Sequence, residues 1–185
     1  MPDHLYLSFW VEGHSALSVP TAFKKVIEEF PFSRLRPEAT LRVHALEFSE
    51  APLLETVFEV IPDAEEVVNA AREFLHDDVA FQLDAFWELW QWDGDWSLKP
   101  SPVSIEVYGP EFASDLGEHI RFDLGVETLY LPPDDSGILR PLQSNIRSIL
   151  HLEKDMEATF KVRKQSLWSE EGENFAERLE ALLND

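Results

Sequence analysis

The stretch VAFQLDAFWELWQWDGDWSLKPSPVSIEVY, residues 79–108, decides how the rest of the chain is read. Asp93-Gly94 at its centre is a strong hairpin turn signal between flanking aromatics. Before the turn, Leu83, Ala85, Trp87 and Leu89 alternate with Asp84, Phe86, Glu88 and Trp90. Successive side chains of a strand point to opposite faces, so this is a strand from Val79 to Trp92 with one apolar and one mixed face. A returning strand is expected from Asp95 or Trp96, pausing at Pro100 and Pro102 and resuming through Val103, Ile105 and Val107. Gly109-Pro110 ends it.

Upstream, Leu5, Leu7, Phe9 and Val11 alternate with Tyr6, Ser8 and Trp10, a strand with bulky residues on both faces. Val19, Ala22, Phe23, Val26, Ile27 and Phe30 follow at helical spacing, with Ser18 placed as N-cap and Pro20 in the first turn. Leu41, Val43 and Ala45 mark a second strand, and Leu54, Thr56, Phe58 and Val60 a third, across a short loop at Ser49 to Pro52. Asp63 caps a helix whose buried stripe is Val67, Val68, Ala71, Phe74 and Leu75. The order strand, helix, strand, strand, helix, strand predicts a ferredoxin-like βαββαβ first half, residues 1–98, its sheet extended by the hairpin.

The second half, residues 99–185, predicts short strands at His119 to Leu124 and Thr128 to Leu131, then a helix from Leu139 that extends toward Ala158. Thr159 to Lys164 reads equally as more helix or as a basic edge strand. Phe175, Ala176, Leu179, Leu182 and Leu183 make a terminal amphipathic helix. Lys99 to Pro102 is too short for a flexible linker, so the two halves are expected to share a sheet or pack tightly in one α+β unit.

Composition narrows the class. The 185 residues are 44% hydrophobic and 12% aromatic, unlike a disordered chain. No run approaches ~18 consecutive apolar residues, and no basic start precedes a short apolar core, so a cytoplasmic protein without a membrane span is expected. With no Cys, disulfides, thiolate metal sites and a Cys nucleophile are ruled out. The net charge of −21 disfavours nucleic acid, whose binding needs Lys and Arg on phosphates, and disfavours anionic membranes. It favours basic or amphipathic proteins. The charge is uneven: residues 43–98 hold fourteen acids and one base, whereas residues 1–42 are balanced.

Most chemistries lack their parts. None of the six His sits in a zinc spacing, and Asp93-Gly94-Asp95 lacks the ligands of a calcium loop, so no metal or cofactor is expected. Asp84 and Glu88 lie four residues apart, ~13 Å on an extended strand, too far to act as a glycosidase pair. No nucleophile elbow or phosphate loop occurs. Arg140, Arg147, Lys154 and Lys161 recur every seven residues, a stripe expected to pair with acids of the same chain or of a second subunit.

What remains is the aromatic cluster. Asp84, Phe86, Glu88, Trp90, Trp92, Asp93, Asp95 and Trp96 are the candidate binding residues, because indoles flanked by carboxylates suit a cationic or amphipathic partner. This points to a non-catalytic interaction domain, of the inhibitor or immunity kind by analogy. The alternative is a small-molecule or enzymatic pocket between the halves built on Trp10, His44, Trp87, His119 and His151. Homodimerisation through the C-terminal helices is a third reading.

Overall fold

The computed structural model describes residues 3–131 and 140–170. The elements are β1 (His4–Val11), α1 (Val19–Glu29), β2 (Ala39–Ala45), β3 (Leu54–Phe58), α2 (Ala64–Arg72), β4 (Val79–Trp92), β5 (Trp96–Tyr108), β6 (Ile120–Val126), α3 (Arg140–Thr159) and β7 (Val162–Ser169). The seven strands form one sheet in the order β3-β2-β4-β5-β6-β1-β7, with every neighbouring pair antiparallel. The fold is α+β, and strands from both halves of the chain share the sheet.

Alternation sorts the two faces. Leu5, Leu7, Phe9, Leu41, Val43, Phe81, Leu83, Trp87, Leu89, Ile105 and Phe122 point to one side, where they are buried with the apolar stripes of all three helices. Each fully buried side chain of this size contributes roughly 1.5–3 kcal/mol. α2 begins where the Asp63 carboxylate accepts from the Glu65 and Glu66 amides, satisfying donors that a first helical turn leaves free. The other face carries no helix among the described residues. At one end of it Phe48 and Phe112 from loops close over Ala80 and Tyr108.

The ferredoxin-like order does not form. In that arrangement β1 would lie among the first four strands, but here β1 pairs with β6 and β7. The long β4–β5 hairpin occupies the edge of β4 that β1 would need. The α1 connection therefore spans three strands, and the sheet grows to seven. Two local expectations also change, and one left open is resolved. β5 runs straight through Pro100 and Pro102. The Tyr108 amide donates to His119 of the β6 side, so even-numbered residues of β5 turn their nitrogens that way; β6 stops pairing at Ser104, and the prolines interrupt no ladder bond. Thr128 to Leu131 is a turn with one 3₁₀ step at Glu127–Leu129, entered through Gly125 at φ 85°. Thr159 to Lys164 resolves as a helix end followed by a basic edge strand. The expected terminal helix at Phe175 to Leu183 lies outside the described residues.

Candidate functional site

Asp84, Phe86, Glu88, Trp90 and Trp92 share one parity on β4 and all project to the face without helices. Their partners across β5 are Ser104, Pro102, Pro100, Leu98 and Trp96. β2 stops pairing with β4 at Asp84, and β6 stops pairing with β5 at Ser104. Beyond those points β4 and β5 continue as a two-stranded ribbon to the turn. Its outer face presents the pairs Phe86/Pro102, Trp90/Leu98 and Trp92/Trp96 in succession. Trp92 is 63% exposed, and its ring meets Trp96 edge-on at 5.7 Å.

The four carboxylates of the predicted set have different employment. Glu88 Oε1 accepts from Ser33 Oγ (3.1 Å), the Arg34 amide (3.0 Å) and the Leu35 amide (3.4 Å), so it anchors the segment between α1 and β2. Asp84 is ion-paired with Arg42 and accepts from Gln82 Nε2. Asp93 accepts from Lys99 Nζ at 3.0 Å, and Asp95 accepts from the Trp96 amide at 2.8 Å. Only Asp93 and Asp95 stand at the exposed tip. The denser acids Glu47, Glu50, Glu55, Glu59 and Glu65 belong to the β3 and α2 end of the sheet. Trp92 lies eight residues past the last β4 residue paired with β2, ~26 Å at strand rise. The exposed indoles and the main acidic flank are therefore separate surfaces.

A concavity of about 430 Å³ lies at the base of the ribbon. Phe86, Pro102 and Ser104 line it, with His4, Arg36 and Arg42 around them. The Arg36 guanidinium sits 4.0 Å from the Phe86 ring. Each arginine already has a carboxylate, Glu38 for Arg36 and Asp84 and Glu55 for Arg42, and His4 Nδ1 lies 2.9 Å from Asp123. The depression thus offers a flat apolar patch bordered by neutralised ion pairs.

The five residues of the alternative pocket do not meet. Trp10 and His44 are on the helix-free face, where Lys164 covers Trp10 at 4.4 Å and Gln82 bonds His44 Nε2 at 2.9 Å. Trp87 is in the core with 1% exposure. Trp87 and His151 both border a cavity of about 530 Å³ between Pro31–Arg34 and α3, and the other three are elsewhere. Strand parity separates them, because Trp87 and Trp10 point to opposite sides of the sheet.

Two arrangements escaped the sequence reading. His119 stacks on His14 at 4.3 Å, accepts the Val11 amide at Nδ1, and is pushed down to about 4 by burial, with the His14 and Arg163 charges adding to it. His14 donates from Nε2 to the Tyr108 carbonyl at 2.6 Å, and burial lowers it as well. Arg121, with 8% of its side chain exposed, pairs with Glu106 at 2.7 Å and with Asp115, beside Tyr6 and Tyr108. Burial pushes the Glu106 carboxyl up against the opposing pull of Arg121. The His pair has no local signal, since it joins His14 to His119, far apart in the chain, and the Arg121 cluster depends on the β5–β6 register that brings Glu106 beside Arg121. The basic stripe breaks: Lys161 lies past the end of α3 and pairs with Glu12, while Arg147 and Lys154 have no carboxylate partner among the described residues.

No protein-family model matches the chain, and no curated protein or solved structure resembles it significantly. Among the described residues, no helix is long and apolar enough to cross a membrane, and no three His, Cys, Asp or Glu side chains converge as a metal site.

Proposed function

We propose that the chain is a non-catalytic interaction domain that grips an amphipathic, basic protein through the β4–β5 ribbon, in the manner of an inhibitor or immunity protein. The observation behind this reading is the run of apolar cross-strand pairs, Phe86/Pro102, Trp90/Leu98 and Trp92/Trp96, ending in the exposed Trp92 beside Asp93 and Asp95. Exposed Trp is the residue type most often found to dominate binding energy, and its cost of exposure is recovered only when a partner covers it. The adjoining carboxylates discriminate by charge more than they add affinity.

The test is capture from host lysate with the wild-type chain and with Trp92→Ala, Trp96→Ala and Asp93→Lys/Asp95→Lys variants. Truncating Trp92 is expected to cost about 2 kcal/mol of binding, roughly 30-fold in affinity. The double Lys variant is expected to weaken capture most at low salt. Capture unchanged by both tryptophan variants, with circular dichroism showing intact folds, would remove the ribbon as the contact surface.

A further inference from the structure

Sheet edges offer unpaired backbone donors and acceptors, and most proteins defend them with Lys, Pro, bulges or very short strands. The two edges of this sheet are treated differently. β7 carries Arg163 and Lys164 within its length, both exposed, which is a usual defence. β3 has no Lys or Arg, and the nearest one downstream is Arg72. Instead Val57 on the strand is 64% exposed, and Val60 just beyond it is 67% exposed. Leu53 and Ile61 flank them, also exposed. The inward residues Leu54 and Phe58 hold the strand on the core, so its outer edge is presented on a fixed support.

The acids around this edge decide what can cover it. Glu55 and Glu59 flank Val57 on its face and Glu50 lies in the loop before the strand, in a segment with fourteen acids and one base between residues 43 and 98. Only Glu55 of these three is ion-paired among the described residues, with Arg42 at 2.8 Å. A second copy of β3 laid antiparallel on the first would set like charges beside one another, which is destabilising. Glu55, Val57 and Glu59 share the outward face, whereas Leu54, Thr56 and Phe58 face the core, so the matching strand carries Lys around one uncharged residue on its outward face and apolar residues on its inward face.

We propose that the outer edge of β3 accepts an extended, basic and apolar segment of a partner protein as an eighth strand of the sheet. The backbone ladder supplies affinity, and alternate side chains supply selectivity. This surface is distinct from the β4–β5 ribbon, and the proposal stands whether or not the ribbon binds anything.

The probe is a fluorescent acetyl-KVTVKVK-amide peptide, followed by anisotropy and by amide hydrogen exchange. Saturable binding below about 1 mM is expected, with slowed exchange confined to residues 53–59. Val57→Lys, at an exposed site that leaves the core intact, is expected to weaken binding at least about tenfold, as Lys guards an edge. Val60→Lys, just beyond the strand, is expected to act in the same direction, and Trp92→Ala to change nothing. The idea is overturned by no saturation, by protection elsewhere, by equal binding of the same peptide with Glu in place of Lys, or by indifference to both Lys variants. A concentration-dependent dimer abolished by Val57→Lys would also overturn it, because the edge would then belong to a second copy.

Discussion

His119 has room for one proton only. Its Nδ1 is taken by the Val11 amide, and its ring lies flat on His14, whose Nε2 is committed to the Tyr108 carbonyl. A second proton on His119 would break the Val11 bond and repel His14 and Arg163. The group therefore titrates at about 4 when folded, against an ordinary value of 6.5. The folded pKa is lowered, so the unfolded chain binds the proton first on acidification. The contribution of His119 is complete above pH 6.5 and is lost as pH falls toward about 4. Glu106 has the opposite sign: its raised pKa makes burial easier in acid and costlier as pH rises. Urea denaturation of wild type and His119→Gln at several pH values separates the two. The variant is expected to lose part of the acid-side slope, and parallel pH profiles would show that His119 does not supply it.

At the scale of elements, β4 is longer than any strand available to pair with its outer edge. α3 supplies the missing neighbour. Asn145, 1% exposed, accepts the Trp90 amide at 2.8 Å and donates to the Trp90 carbonyl at 2.9 Å and the Leu129 carbonyl at 2.7 Å. One side-chain amide thus does what a strand residue would do, while the Ser33 amide bonds the Phe86 carbonyl further back. Asn145→Ala leaves three backbone groups without their side-chain partner, and a loss of about 2–4 kcal/mol is expected in chemical denaturation. Faster exchange of the Trp90 amide should accompany it; a loss under about 0.5 kcal/mol would mean that water replaces the side chain. Elements with a local signature were legible. The hairpin at Asp93-Gly94, the capped helix at Asp63 and the alternation from Leu5 to Val11 all appear where the residues place them. Neighbour relations were not legible. Nothing within β1 says that its edges will meet β6 and β7, because hydrogen bonding between strands uses backbone groups that every residue carries.

For the whole molecule, the net charge of −21 sits mostly on exposed side chains between residues 43 and 98, while the opposite edge of the sheet is basic. Repulsion within that acidic segment opposes folding, and salt screens it. Raising NaCl from about 20 to about 500 mM is expected to raise the melting temperature by roughly 3 °C, near 1 kcal/mol for a chain of this size. A fall on calorimetry would show that the surface ion pairs outweigh the repulsion. The candidate site was legible as a set of side chains on one strand face, since period-two alternation alone puts Asp84, Phe86, Trp90 and Trp92 together. What each carboxylate does was not, because Ser33, Arg42 and Lys99 reach Glu88, Asp84 and Asp93 through the folded backbone.

The position of β1 between β6 and β7 also sets an order of events during synthesis. Of the seven strands β1 is made first, yet a nascent chain that ends before Ile120 contains neither of its neighbours. Its alternating large side chains must wait for residues 120–126 and 162–169 to be translated before either flank is closed. Such long-range closure slows folding and leaves an apolar segment exposed until the late strands are made.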